Sequence, residues 1–193
     1  MRAVCVFCGS REGARPSYAE AAKLVGKTLA RRGIGVVYGG GRVGLMGAVA
    51  NAALEEGGEV VGVIPEALLA REIAHEGLTK LHVVGSMHER KRMMDDLSDG
   101  FVTLPGGYGT FEEFLEVISW AQLGIHGKPC GLLDVDGYYQ SLTMLFDEAV
   151  KEGFLLLCHR SLVLTERDPE SLLDAMDRYT PPETKRWAEP RNI

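Results

Sequence analysis

Phe101-Val102-Thr103-Leu104-Pro105-Gly106-Gly107-Tyr108-Gly109-Thr110-Phe111-Glu112-Glu113 decides the reading of this chain. The run 101–104 reads as a buried strand, and the amphipathic run 111–123 reads as the helix that follows. A glycine-rich turn between them leaves backbone N–H groups exposed at the positive end of the helix dipole. That is an anion site suited to phosphate. Glu113 sets a carboxylate within one turn of it, and the pair points to chemistry on a phosphorylated small molecule. Thr110-x-x-Glu113 also fits a capping box, with Thr110 as N-cap and Glu113 reaching back to its N–H. Cap and catalyst therefore both stand as readings of Glu113. Gly106, Gly107 and Gly109 exceed what a cap requires, which favours close approach of a ligand to the backbone.

Outward from this stretch, strand-like apolar runs alternate with helical patterns. Strands are expected at 3–8, 35–38, 59–64, 81–84, 101–104, 130–134 and, more weakly, 162–165. Helices are expected near 17–32, 45–56, 87–97, 111–123, 137–152 and 169–178. The strands are short and almost wholly apolar, as when helices cover both faces of a sheet. Such alternation predicts an α/β fold: a single-domain, doubly wound, Rossmann-like parallel sheet of about seven strands with helices on both faces. The domain is expected over 1–180 and a polar tail over 181–193, with Pro181-Pro182 ending the last helix. Ligands of such sheets bind outside the carboxyl ends of the strands. Gly9-Ser10, the loop 39–47, Pro65-Glu66, the run 86–92 and the run 106–113 all follow strand ends.

Composition narrows the function class. A chain of 193 residues with 46% hydrophobic and 25% charged content is ordinary for a globular domain. Its formal net charge of −6 argues against a nucleic-acid polymer as partner, while leaving room for a small anion in a local basic patch. No apolar run approaches the roughly 20 residues that span a bilayer. The first residues enter a strand at once, without the apolar segment of a secretory signal, so a cytoplasmic location and no membrane association are expected. Cys5 and Cys8 have CxxC spacing, but in a strand positions i and i+3 point to opposite faces. They cannot chelate or pair while the strand is intact. All four cysteines are therefore expected to be reduced, buried and structural.

Two further constellations carry chemistry. Gly39, Gly41 and Gly44 spell GxGxxG, a weak dinucleotide signal that here follows the second strand, with Glu66 as the candidate ribose acid. NAD(P) or FAD binding stands as an alternative, and close helix–strand packing accounts for Gly44 and Gly47 without a ligand. A P-loop is excluded, because the glycines lack the Lys-Ser/Thr ending. The run Ser86-Met87-His88-Glu89-Arg90-Lys91-Arg92 opens a helix, with Ser86 and Glu89 at capping-box spacing. Three cations fall where the helix dipole disfavours them. They form either a solvated face or a set of which one or two meet a bound anion, and arginine suits phosphate best because of its planar fork. His88 is an acid–base candidate beside a cap. Glu72 lies in a loop over the sheet edge that could serve as a lid.

Gly-Gly-Gly-x-x-Gly-Leu-Met-Gly at 39–47 and Pro-Gly-Gly-x-Gly-Thr-x-x-Glu at 105–113 together resemble the LONELY GUY family. Phe7-Cys8-Gly9-Ser10, Met87-His88-Glu89-Arg90-Lys91 and the run 120–126 extend the resemblance over roughly residues 4–165. The family comprises cytokinin riboside 5′-monophosphate phosphoribohydrolases, long mislabelled lysine decarboxylases. The resemblance implies hydrolysis of the N-glycosidic bond of an adenosine 5′-monophosphate, giving free base and ribose 5-phosphate. It implies Arg90 and Glu113 as the essential pair, with Glu72, Lys91, Gly107, Tyr108, Gly109, Thr110, Phe111, Glu112 and Ser119 as substrate contacts. The strand-end segments add Gly9, Ser10, Gly41, Gly44 and Met46 as substrate-binding candidates. Met93, Leu97 and Trp120 are candidates for the wall of the base pocket. The resemblance also implies a dimer or larger assembly with the site near the subunit interface, and neither cofactor nor metal is expected. The decarboxylase label would need a pyridoxal cofactor on a lysine, and only Lys91 lies in a motif, between two arginines. A non-catalytic nucleotide sensor is the alternative outside the enzyme class; Arg90 and Glu113 together favour the enzyme.

Overall fold

A computed structural model describes residues 1–69 and 74–182. The sheet has seven strands, all parallel: β1 (Ala3–Phe7), β2 (Gly35–Tyr38), β3 (Val60–Pro65), β4 (Lys80–Val84), β5 (Gly100–Thr103), β6 (Cys130–Leu133) and β7 (Val163–Glu166). Their order across the sheet is β4-β3-β2-β1-β5-β6-β7. The chain winds outward from β1 to β4, returns across the sheet, and winds outward again from β5. The gap between β1 and β5 is thus the switch point at which open α/β sheets hold ligands.

Period-two alternation along β1 sorts the core into two layers. Val4, Val6 and Cys8 face one layer, with Ala22, Val25 and Leu29 of α1 (Pro16–Arg31), Leu45 and Val49 of α2 (Gly44–Glu55) and Leu172 of α7 (Pro169–Asp177). Cys5 and Phe7 face the other, with Met94 of α3 (Met87–Asp96) and Phe114 and Val117 of α4 (Tyr108–Gln122). The two cysteines therefore stand on opposite faces of the strand, as their spacing requires. Helices cover both faces, which is why nearly every strand residue is apolar.

Three local expectations are corrected. The helix after the glycine motif begins at Tyr108 rather than Phe111, with Gly107 as its N-cap. Thr110 is already inside the helix, so Thr110 and Glu113 do not form a capping box. The helix expected over 137–152 starts later, as α5 (Gln140–Lys151), and is preceded by a tight turn at Val135–Gly137. Asp136, at φ 53°, breaks the helical path; among non-glycine residues Asp tolerates that region comparatively well. Beyond α5 the short α6 (Leu157–Arg160) carries Cys158, which is exposed, unlike the buried Cys5, Cys8 and Cys130. The capping box at Ser86 does form, in a shifted variant. Ser86 Oγ accepts from the Glu89 N–H at 3.1 Å, and Glu89 Oε2 accepts from the Gly85 N–H at 2.8 Å.

Candidate active site

A cleft of about 310 Å³ opens at the switch point. The end of β1 supplies the run from Val6 to Ser10, the end of β2 supplies Gly39, and α4 supplies Gly107, Tyr108, Gly109, Thr110, Glu112 and Glu113. Met46, Leu68, Met87 and Met94 give it an apolar wall, and Arg90 lies among them. On α3, Met87, Arg90 and Met94 fall at i, i+3 and i+7, a single helical stripe turned towards the sheet.

Of the three clustered cations, Arg90 is the one that lines the cleft, and it is 5% exposed. A buried guanidinium requires acceptors. Nε donates to the Val63 carbonyl at 3.1 Å and Nη2 to the Gly39 carbonyl at 3.0 Å. The first carbonyl lies within β3 and the second just past the end of β2, its neighbour in the sheet, so the guanidinium is fixed against the sheet rather than tethered to solvent. A Cβ on Gly39 would stand 2.2 Å from Nη2, so the absence of a side chain there makes room for the charge. Arg92 pairs with Asp96 one turn on, at 3.2 Å, and His88 is exposed.

At the other wall, the first intrahelical bond of α4 runs from the Phe111 N–H to the Gly107 carbonyl at 3.0 Å. The N–H groups of Tyr108, Gly109 and Thr110 precede that ladder and have no acceptor within the helix. They line the cleft with the helix dipole behind them. Glu113 follows on the same helix and reaches the same cleft. The Cys8 thiol also touches it, but burial pushes its pKa up, and the charge of Glu113 pushes it further. A thiol held protonated is no nucleophile.

The chain matches a family model described as a possible lysine decarboxylase over residues 46–176. A rice protein described as probable cytokinin riboside 5′-monophosphate phosphoribohydrolase LOGL9 is 53% identical over 180 residues, covering 93% of this chain and 79% of the relative. Cytokinin riboside 5′-monophosphate phosphoribohydrolase LOG7 of Arabidopsis thaliana is 51% identical over 178 residues, covering 92% and 82%. The chain belongs to the LONELY GUY family. A more distant solved structure, the molybdenum cofactor carrier protein of Chlamydomonas reinhardtii, is 21% identical with a TM-score of 0.69, covering 91% of this chain and 95% of that one. It shares the fold.

Against the family expectations, the cleft gathers Gly9, Ser10, Met46, Arg90, Glu112, Glu113 and the run 107–110. Lys91 turns away from it. Its ammonium bonds Glu112 at 2.6 Å and Glu116 at 2.9 Å, beside a small crevice that Trp120 also lines. Phe111 packs its ring on Tyr138 and Tyr139. Ser119 is exposed and donates back to the Leu115 carbonyl at 2.7 Å. Gly41 pairs with Ala74 in an isolated bridge, and Gly44, at φ +62°, packs against the backbone of Ser10 and Arg11. Glu72 lies outside the described residues.

Gly44 also decides the dinucleotide alternative. A Cβ there would meet Ser10 C at 2.3 Å, and the Leu45 N–H at the start of α2 already bonds the Gly9 carbonyl at 3.1 Å. The α2 N-terminus is therefore closed by the first loop of the chain, where a dinucleotide fold would admit pyrophosphate. Glu66 is exposed just past β3. Of the residues expected to line a base pocket, Met93 packs into the core layer and Leu97 is 39% exposed. Met87 and Met94 line the cleft instead, and the i, i+3, i+7 spacing of Met87, Arg90 and Met94 is the signal for it. Leu68 had no such signal, because it ends a single 3-10 turn, Glu66–Leu68, too short to show a period in the sequence.

Proposed function

We propose that this chain hydrolyses the N-glycosidic bond of adenosine 5′-monophosphates, including N6-modified ones, releasing free base and ribose 5-phosphate. One observation carries the reading. An open helix N-terminus, a fixed guanidinium and a carboxylate share a single cleft with an apolar wall. The N–H groups of the run 107–110 hold the 5′-phosphate. Cleaving the bond to the base develops positive charge on the ribose, and Glu113 stabilises that charge and orients the attacking water. The phosphate grip holds the sugar for reaction at a distance from the anchor. Arg90 completes the anion site, and the methionine wall receives the base. Lys91 is engaged by two carboxylates. Burial lowers its pKa, but its bonds to Glu112 and Glu116 outweigh that and hold it above the usual lysine value. A Schiff base needs a neutral amine, so the decarboxylase description fits this lysine poorly.

The reading includes a homodimer and a cytoplasmic location. α5 is amphipathic, yet among the described residues none of it is buried. Met144, Leu145, Phe154, Leu156 and Leu157 stand 60–89% exposed around α5 and α6, an apolar face of the kind that marks a protein–protein contact. Four free thiols suit a reducing compartment. Among the described residues no helix is long and apolar enough to cross a membrane.

The test supplies AMP and isopentenyl-AMP separately and measures released base by chromatography. Parent protein is expected to release base and Glu113→Gln to release none while keeping its fold, because Gly107 and not the Thr110–Glu113 pair caps α4. Normal release by Glu113→Gln would remove the carboxylate from the mechanism and leave a nucleotide-binding protein.

A further inference from the structure

The carbonyls of the glycine turn are each held from outside it. Tyr139, 1% exposed, donates its hydroxyl to the Leu104 carbonyl at 2.6 Å. The Gly9 N–H donates to the Pro105 carbonyl at 3.0 Å, and the Tyr138 hydroxyl donates to the Gly106 carbonyl. A trans peptide is planar, and its C=O and N–H point in opposite directions. Holding the Pro105 carbonyl therefore aims the Gly106 N–H, and holding the Gly106 carbonyl aims the Gly107 N–H. The peptide between Gly106 and Gly107 has no Cβ on either side to restrain it, and nothing lies within 4 Å of where a Gly107 Cβ would stand. Glycine explores both signs of φ readily, so no side chain within the turn fixes this peptide, and the bond to its carbonyl from outside is what restrains it.

The two tyrosines are themselves placed by the turn at Val135–Gly137, just before α5. Asp136 at φ 53° redirects the chain after β6, and the Tyr139 N–H bonds Asp134 Oδ1 at 2.7 Å. Their rings meet edge to face at 5.0 Å, and both contact Phe111 on the first turn of α4. Two adjacent hydroxyls thus reach carbonyls two residues apart on the turn.

We propose that Tyr138 and Tyr139 are positioning residues for the phosphate site: the Tyr138 hydroxyl holds the Gly106 carbonyl and so turns the Gly107 N–H to the cleft, and the Tyr139 hydroxyl anchors the start of the turn at the Leu104 carbonyl, whose peptide to Pro105 carries no N–H of its own. The proposal rests on the phosphoribohydrolase reading, in which that N–H grips the 5′-phosphate. Neither tyrosine touches the substrate in this scheme.

Calorimetry on the full chain tests it, with AMP and adenosine as separate ligands in a Glu113→Gln background that prevents turnover. Tyr138→Phe and Tyr139→Phe each remove one hydroxyl and keep the ring. Each is expected to weaken AMP by about tenfold, the scale of one lost hydrogen bond, and to leave adenosine unchanged. A hydroxyl that served stability alone would lower the melting temperature, or weaken both ligands alike, and either result without a loss of AMP preference overturns the proposal. Preference for AMP kept in both variants overturns the lock while leaving the enzyme reading intact. No preference for AMP before either tyrosine is changed overturns the phosphate reading, and the lock with it. Tyr138, partly exposed, decides the matter if Tyr139→Phe does not fold.

Discussion

Gly39 and Arg90 form a matched pair, each explaining the other. The guanidinium occupies the volume that any other residue at position 39 would fill, and the Gly39 carbonyl is one of its acceptors. Gly39→Ala is expected to displace the end of the Arg90 side chain while the fold holds, because the clash falls on a side-chain tip and not on backbone. Base release should fall by about a hundredfold, the scale of losing a fixed charge at a reacting centre, with the melting temperature close to the parent's. Arg90→Lys should lose activity too, since an ammonium lacks the planar fork that spans the Val63 and Gly39 carbonyls. Near-normal release by Gly39→Ala, measured by the same chromatography, would show that the guanidinium need not be fixed.

Among the elements, β1 is clamped at its start by a carboxylate. Asp99 Oδ2 accepts from the Arg2 N–H at 2.6 Å and the Ala3 N–H at 3.2 Å. These bonds, the one from Arg2 first, hold the Asp99 carboxyl below its usual pKa despite partial burial. A carboxylate depressed in the folded state stabilises above its unfolded pKa, near 3.9, and that contribution is lost as pH falls through the folded value. Asp99→Ala should therefore cost on the order of 1 kcal/mol at neutral pH, read as a shift in urea midpoint. The gap to the parent should narrow below about pH 4 and close at lower pH. A gap that is constant with pH would assign the loss to packing instead of charge. The start of α3 is held by the reciprocal bonds of Ser86 and Glu89, which also set the phase that turns Arg90 inward.

At the scale of the molecule, one chain leaves the α5 and α6 face bare. Leu142 and Phe146 pack towards the core, while Met144 and Leu145 on the same helix stay more than 60% exposed. If a second copy covers this face, the parent should sediment as a dimer and Leu157→Glu as a single chain with an unchanged circular dichroism spectrum. A parent that sediments as one chain would remove the dimer from the reading. The winding of the sheet does the rest of the assembly: it brings the ends of β1, β2 and β5 together although they are separated by most of the first hundred residues.

Much of this was written into the sequence by itself. Apolar runs alternating with amphipathic ones determine a doubly wound parallel sheet, because only helices on both faces can bury such strands. Glycine beside a strand end marks each loop at the carboxyl edge, and the spacing of Ser86 and Glu89 marks a helix start. Tertiary structure alone decided which of these loops stays open. Gly44 reads as a dinucleotide fingerprint until Ser10 and Arg11 are seen packed against it. Lys91 and Arg90 are neighbours with the same charge, and helical phase sends one to Glu112 and Glu116 and the other into the cleft. Thr110 and Glu113 satisfy a capping pattern that the earlier helix start at Tyr108 makes unusable. Local patterns record period and propensity, which act over a few residues. Contacts between loops arise only when the sheet order sets distant strand ends side by side.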